Sequence, residues 1–450
     1  MGWCRGGREI AVGSLVIACW AVTSEARAGN DDGVLLGNTA AMTAGAVVAT
    51  VGDGSAVWYN PAGIAAADRN AVDVSGSAFQ LRIIDQPQLI RFTTGESADG
   101  NAVDLISIPS AVTGVRRLDD GVNLAFGIFV PELRQRSLSA HLEHLDGGVG
   151  SRLDLGIQER SQRYHAGGAL GVRIDRNFRV GFNVFVRYQT RSYDEQLGAY
   201  YEGMDLLVQQ QAQIRESLTA IGIEGGAGFQ WTPIPELAVG VSVRSPAMEF
   251  AWNYAASNVA SEVVLDDVDP TLDSAAYDAL VGDEWAFGAE ASSPLRVWLG
   301  VALTLDRFWL SAEVDLQHPL DNPTVGVERD FVWNARVGAH YEVDESVRVG
   351  AGLFTDNRTR TRIRYLGEEN MDYYGGTLGL ELRTPHRLGE GEDADSLIFS
   401  STFALRYAVG VGEVVGLSLD PTVGELASPD PLLASTVHEI SLHIGSALFF

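Results

Sequence analysis

The chain has 450 residues, 46% of them hydrophobic and 50 of them glycine, and carries a formal net charge of -27. This composition excludes intrinsic disorder, and the acidity excludes a nucleic-acid binder. No stretch reaches the roughly 18 uncharged apolar residues that a spanning helix needs, so a helical membrane protein is excluded too.

Residues 1–28 read as a secretory signal peptide. Arg5 and Arg8 make a basic start, 10–22 an apolar middle, and Ala26-Arg27-Ala28 a small-x-small cleavage site. Val16-Ile17-Ala18-Cys19 also resembles a lipobox, which would leave an acylated Cys19 instead. Both readings take the protein out of the cytoplasm. Cleavage after Ala28 would remove Cys4 and Cys19, and with them any disulfide or thiolate chemistry. It would also move the charge from -27 to about -28, because three arginines and two glutamates leave. All 32 basic residues are arginine. Genome bias accounts for this; so would a use of the planar guanidinium, which grips phosphate better than an ammonium and suits anionic outer-leaflet lipid.

Residues 29–70 are small and Gly/Ala-rich, without a run of alternation long enough to cross a membrane, and are expected to form a compact plug. From residue 71 to 450, segments of about ten residues with alternating polarity recur, the length of a tilted transmembrane strand. Fourteen are expected, at 71–82, 102–112, 121–130, 162–174, 178–191, 218–231, 236–250, 295–305, 308–317, 331–343, 346–356, 371–383, 397–410 and 435–450. The fold class is therefore all-β, a transmembrane antiparallel β-barrel of about 14 strands behind a small N-terminal hatch.

The connections support this. Tight turns at 175–177, 232–235, 306–307 and 344–345 alternate with long links at 131–161, 192–217, 251–294 and 411–434. Bacterial barrels keep short turns in the periplasm and long loops outside, so both chain ends are expected in the periplasm of an outer-membrane protein. The charged link at 384–396 is longer than this pattern predicts. Within 178–191, Val180, Phe182, Val184 and Val186 alternate with Arg179, Gly181, Asn183 and Arg187, one face for lipid and one for a polar lumen. In the last segment Ile440, Leu442, Ile444, Leu448 and Phe450 oppose Glu439, Ser441, His443, Gly445, Ala447 and Phe449. A soluble β-sandwich would also alternate, but would leave the leader, the spacing and the terminal Phe450 as coincidences.

The stretch Ser55-Ala56-Val57-Trp58-Tyr59-Asn60-Pro61-Ala62-Gly63-Ile64 resembles the N-terminal hatch of the long-chain fatty acid transporter (FadL/TodX) family, marked by an Asn-Pro-Ala triplet shortly before the first strand. The hatch motif here is Asn60, Pro61, Ala62 and Gly63. The resemblance extends weakly through the barrel, with large insertions after strands 5 and 7, and implies a channel for hydrophobic small molecules such as long-chain fatty acids. In that family the two inserted loops are helical and form a greasy landing site. Here Leu197, Tyr200, Tyr201, Met204, Leu207 and Val208 stand at i, i+3, i+4, i+7 spacing, one apolar face of a helix. The second insertion carries Trp252, Tyr254, Ala255 and Val259 before an acidic run at 266–273. These residues would line the ligand groove or pack the loops together.

The resemblance further implies sideways exit beside a kinked third strand, for which Gly127 and Pro131 are the candidates, and recognition of Phe450 by the barrel-assembly machinery. Family members thread an N-terminal segment into the lumen; in this chain Asn30-Asp31-Asp32-Gly33 is acidic. The partners implied are a fatty-acid-like ligand and outer-membrane lipid.

Catalysis has little support. His141/His144 and His438/His443 are the near histidine pairs, and neither sits in a nucleophile motif. His141 and His144, with Glu143 and Asp146, could align metal ligands on a helix, but a solvated polar loop explains them better. No catalytic residue, metal or cofactor is expected. The alternatives to a transport channel are a scaffold or assembly factor of the same fold and, less favoured, an outer-membrane lipase.

Overall fold

A computed structural model describes residues 33–450 except 147–148, 203–205, 267–272, 282–283, 325–326, 360–362, 364–365, 367–368, 389–394, 421–424 and 427–431. The signal peptide, Cys19, the acidic residues 30–32 and Met204 lie outside the described residues.

Two short α-helices, α1 (Asn38–Met42) and α2 (Ala56–Tyr59), and a 3-10 helix (Pro61–Ala66) precede the strands. The strands are β1 (Ala71–Phe92), β2 (Ser97–Asp119), β3 (Val122–Asp146), β4 (Val149–Arg173), β5 (Phe178–Glu202), β6 (Leu206–Ile234), β7 (Leu237–Arg244), β8 (Met248–Asp266), β9 (Asp273–Val281), β10 (Trp285–Ala291) and β11 (Arg296–Leu305). After these come β12 (Phe308–Gln317), β13 (Leu320–Asn322), β14 (Val327–Arg329), β15 (Val332–Glu342), β16 (Val347–Asp356), β17 (Glu369–Leu388), β18 (Asp395–Val415), β19 (Leu417–Asp420), β20 (Glu425–Leu426) and β21 (Leu432–Phe449).

Antiparallel ladders run in the order β1-β2-β3-β4-β5-β6-β7-β11-β12-β15-β16-β17-β18-β21 and return to β1, closing a cylinder of 14 strands. The seam is complete from Ala71↔Phe449 to Asp85↔Thr436, and the Asn70 and Phe450 amides each donate to the other's carbonyl, at 3.1 and 2.9 Å. Closure removes the two borders that an open sheet of these strands would have, the condition for strands inside hydrocarbon. All fourteen segments expected from sequence are wall strands. The tight turns gather at the end of the barrel that holds Asn70 and Phe450. Two are Asx turns, in which Asp175 Oδ1 accepts from Asn177 and Phe178 (2.7 and 2.8 Å) and Asp344 Oδ1 from Ser346 and Val347 (2.7 and 2.9 Å).

At the opposite end the structure corrects the sequence reading. The links at 131–161 and 192–217 are not loops, because β3 to β6 continue paired far beyond the expected ends, through Asp146↔Val149 and Glu202↔Leu207. The expected helix on Leu197, Tyr200, Tyr201, Leu207 and Val208 is replaced by this ladder, in which Tyr201 faces Val208 and Glu202 faces Leu207. An extended strand on each side satisfies every amide of the segment, so an isolated amphipathic helix has nothing to gain. Trp252 and Tyr254 are likewise in strand β8, not in a helical loop. The long link at 384–396 is a hairpin arm, paired from Arg383↔Ser400 to Leu388↔Asp395, beyond the start of the β18–β21 ladder at Ile398↔Phe449.

Two wall strands are interrupted. β7 pairs with the lower half of β6 and β8 with its upper half, and β11 and β10 continue them on the other side. Pro246 has no amide to give the ladder. Hydroxyls substitute there, with Gly225 donating to Ser245 Oγ and Ala247 to Ser293 Oγ, both at 3.0 Å.

The two faces separate as expected. Phe182, Val184 and Val186 are 53–61% exposed outward, whereas Arg187 is 2% exposed inward. Apolar side chains ring the outside of every wall strand. Such a continuous band suits hydrocarbon, not water.

Candidate functional site

The lumen is built in three levels. At the turn end it holds the N-terminal segment, gripped by wall side chains through its backbone. Asn183 donates to Val57 O at 2.7 Å, Asn123 to Ile64 O and Ala67 O at 2.8 Å, Gln230 to Val51 O at 3.0 Å, and Thr377 to Met42 O at 3.0 Å. Glu313 Oε2 accepts the Val47 and Val48 amides (3.1 and 3.0 Å) while its other oxygen takes Arg336 Nη1 at 2.7 Å. Irregular backbone buried in a lumen needs such partners.

Asn60 is the hub. Its Nδ2 donates to Val48 O (2.9 Å) and to Phe229 O of β6 (3.0 Å), and its Oδ1 caps the 3-10 helix by accepting from Ala62 at 3.1 Å. Pro61 occupies the first turn, where its missing amide costs nothing. Wall glycines give the segment room: a Cβ on Gly228 would meet Asn60 Oδ1 at 2.2 Å, and one on Gly181 would meet the Pro61 carbonyl carbon at 2.3 Å. Trp58 packs under the Arg244 guanidinium, 3.9 Å from its ring centroid, and touches Phe129 and Phe185 at centroid distances of 5.5 and 5.7 Å.

Above the segment lies a belt of buried ion pairs. Arg82 meets Glu369 at 2.8 Å and Glu439 at 3.4 Å, Arg136 meets Glu159 and Glu369 at 3.3 Å, and Arg406 meets Glu439 at 3.1 Å. Above the belt the inner face turns apolar: Ile84, Leu89 and Phe92 of β1 cluster with Leu138 and Leu142 of β3, Leu153, Leu155 and Ile157 of β4, and Tyr193 of β5, all buried. Leu417 and Leu419 of β19 join this cluster, where β19 lies parallel to the end of β1 from Ile90↔Leu417 to Phe92↔Leu419. At the β1–β2 turn Glu96 accepts from the Thr94 hydroxyl and stands 2.6 Å from His144 Nδ1, and these bonds, Thr94 first, hold its carboxyl below the usual range.

The wall has a window. The β2–β3 ladder runs from Asp119↔Val122 to Ala111↔Phe129 and resumes at Asn101↔Ser139, with no pair between 102–110 and 130–138. The β3–β4 register shifts at the same place, between Phe129 and Glu132. Pro131 stands in the interruption; Gly127 stands below it in an intact ladder, opposite Thr113 and Gly167. A Cβ on Gly127 would meet the Phe129 ring at 2.6 Å, so this glycine makes space for that ring. On the outside, Val103 and Leu105 flank the window, 69% and 70% exposed. Behind it a small cavity is lined by Gly33, Val34, Ile106, Pro131 and Leu133 together with polar side chains, among them Glu132, Arg134 and the belt residues Arg82 and Glu439.

The groove residues read from sequence divide between two faces. Trp252 and Tyr254 pair with Ala220 and Leu218, on the lumen side with buried Ala220. Leu197 packs against the apolar cluster. Tyr200 is on the outer side beneath Arg152, whose guanidinium is 4.1 Å from its ring, and Leu207 is exposed. The cluster residues on β3 and β4 were missed by sequence reasoning, although the signal was present: Leu138, Ala140 and Leu142 alternate with Ser139, His141 and Glu143. The histidine pairs come apart, since His141 bonds Asp154 (2.5 Å) and His144 faces Glu96, while His438 meets Tyr407 (2.9 Å) and His443 is buried toward Asn38 (3.5 Å). Among the described residues no group of three or more His, Cys, Asp or Glu could hold a metal ion.

No family model matches the sequence, and no curated protein matches it. Solved structures do match. A Pseudomonas aeruginosa FadL homologue aligns with a TM-score of 0.55 at 13% identity, over 93% of this chain and 99% of that one. The Pseudomonas putida toluene transporter TodX aligns with a TM-score of 0.56 at 12% identity, over 94% and 99%. The Ralstonia pickettii toluene transporter TbuX aligns at 0.52 and 12%, over 94% and 99%. Identity this low speaks for architecture alone, and architecture is what the sequence resemblance implied: this chain has the FadL/TodX fold.

Proposed function

We propose that the chain is an outer-membrane channel for the uptake of hydrophobic small molecules, long-chain fatty acids or similar lipids and hydrocarbons, with both chain ends in the periplasm. The observation that carries this reading is the window between β2 and β3: the wall ladder is interrupted there and a small cavity lies behind it, and in this reading the apolar cluster above the ion-pair belt serves as the chamber that feeds it. The proteins of the same fold that are named toluene transporters support it.

In this reading a ligand leaves water for the upper chamber, gaining about 25 cal/mol for each Å2 of apolar surface it hides. Leu197, Trp252 and Tyr254 contribute to that path from the inner face, and Tyr200, Leu207 and Val208 belong to the hairpin that bears them. The ion-pair belt is its floor. An apolar molecule would have to strip hydrogen bonds from paired charges to descend through the belt, so the shorter route is sideways through the window, past Arg82 and Glu439 at the belt's edge. Asn60, Pro61, Ala62 and Gly63 hold the hatch that seals the remainder.

Displacement of a fluorescent fatty acid from purified protein tests the binding step. Leu155→Asp, which puts a carboxylate in the chamber, is expected to weaken probe binding at least about tenfold, more than 1.4 kcal/mol; unchanged affinity would move the site elsewhere. The role of Phe450 in assembly has a separate test. Phe450→Ala is expected to lower the amount of folded barrel in cellular outer membranes while leaving refolding in detergent intact, read by heat-modifiable migration on gels. Equal loss in both would make Phe450 a stability residue through its seam with Asn70.

A further inference from the structure

The outer face of β4, β5 and β6 carries a polar basin that transport through the lumen does not use. Arg160 pairs with Ser192 and Ser192 with Ser217; one outward row higher, Gln158 pairs with Asp194 and Asp194 with Arg215. Directly paired residues share a face, and Tyr193, between the two rows, points into the lumen with 2% exposure. The sheet is dished between the rows into a concavity of about 760 Å3 that reaches β3 and β8.

Its height is set by the aromatic side chains below it. Tyr164 and Tyr188, paired across β4 and β5 and 36% and 43% exposed, top the apolar band on these strands. Such rings sit at the membrane–water boundary. Arg160 is four residues above Tyr164, roughly 13 Å along the strand. The basin therefore faces the headgroup layer. Of the charged residues that line it, Arg136, Glu159 and Glu216 belong to the inward row of Tyr193, and the outward rows carry two guanidiniums, Arg160 and Arg215, against the Asp194 carboxylate. Arg215 Nε is 2.8 Å from Asp194 Oδ2, whereas Arg160 has neutral neighbours in its row, Gln135 and Ser192. Serine hydroxyls and amides fill the rest of the rim. A cation in a field of neutral donors and acceptors matches a phosphate carried on a sugar.

We infer that this basin binds the phosphorylated sugar headgroup of an outer-leaflet glycolipid. The inference rests on the reading of the chain as an outer-membrane barrel. It gives the outward arginines of this face a role in seating the barrel, separate from ligand passage.

The test is retention of bis-phosphorylated lipid A by the full chain, purified from phosphatidylethanolamine vesicles that contain it and read by native mass spectrometry. The unmodified protein is expected to keep lipid A in preference to its dephosphorylated form. Arg160→Gln with Arg215→Gln should reduce retention about tenfold, and Ser217→Trp, which fills the basin without altering charge, should reduce it as well. Equal retention by these variants overturns the site. Full displacement by free inorganic phosphate would show an ion site and overturn the lipid assignment. A chain that inserts but retains no lipid A refutes the basin alone, while one that never enters vesicles refutes the membrane reading beneath it.

Discussion

Cross-linking the two borders of the window is expected to abolish uptake of a hydrophobic probe by cells that depend on this protein. The register on either side, Asn101↔Ser139 and Ala111↔Phe129, places Leu105 opposite Gln135 across the gap, both facing outward. Leu105→Cys with Gln135→Cys, joined by a short cleavable bismaleimide, would tie β2 to β3 where the ladder is missing. The chemistry is clean because Cys4 and Cys19 are the two cysteines of the sequence and both precede residue 29. The control is the same linker at Leu299→Cys with Val314→Cys, an outward pair in the intact β11–β12 ladder. Uptake should stop in the first variant, return when the linker is cleaved, and continue in the control. Unpaired amides facing hydrocarbon cost several kcal/mol each, so the window persists because protein lies behind it; Gly33 and Val34 of the N-terminal segment line the cavity at that place. Undiminished uptake through a fully linked wall would rule out the sideways route.

Loosening the hatch is expected to turn a sealed barrel into a leaky one. Asn60→Ala removes the donor to Val48 O and Phe229 O and the cap on Ala62 in one step. Val48 O keeps a longer bond from Gln230 Nε2, at 3.3 Å, and each hydrogen bond lost costs about 0.5–1.5 kcal/mol. Gly228→Val attacks the same contact from the wall, because its first side-chain carbon would fall 2.2 Å from Asn60 Oδ1, and overpacking of this kind costs about 1–3 kcal/mol. Both variants should raise ion conductance in planar bilayers and expose 33–70 to protease, while the barrel keeps its migration on gels. Apart from the window, the wall strands pair with one another and not with the N-terminal segment. Wild-type conductance in both variants would show that Asn60 is not what holds the hatch in place.

The charge belt and the interrupted strands place chemistry that sequence reasoning saw only as separate residues. Arg82, Arg136, Glu159, Glu369 and Glu439 come from five strands spread over more than 350 positions, and each taken alone is one polar residue on a lumen-facing strand. What joins them is cylinder closure, which brings β17 and β21 around to β1 and β3. The window has the same character. Pro131 is legible as a residue that cannot donate to a ladder, yet the length of the interruption depends on how β2 and β3 part and rejoin in register.

Barrel, strand number, face assignment and turn end were decided by local physics. A two-residue period, tight Asp- and Pro-containing turns and a terminal aromatic strand each act over a dozen residues or fewer, and each was visible before any coordinate. The fate of the long insertions was not. The spacing of Leu197, Tyr200, Tyr201 and Leu207 fits a helix considered alone, and pairing with β4 and β6 makes it strand. A helix and an extended segment differ little in their own energies, so the choice passed to partners distant in sequence, and with it went the chamber, the belt and the window.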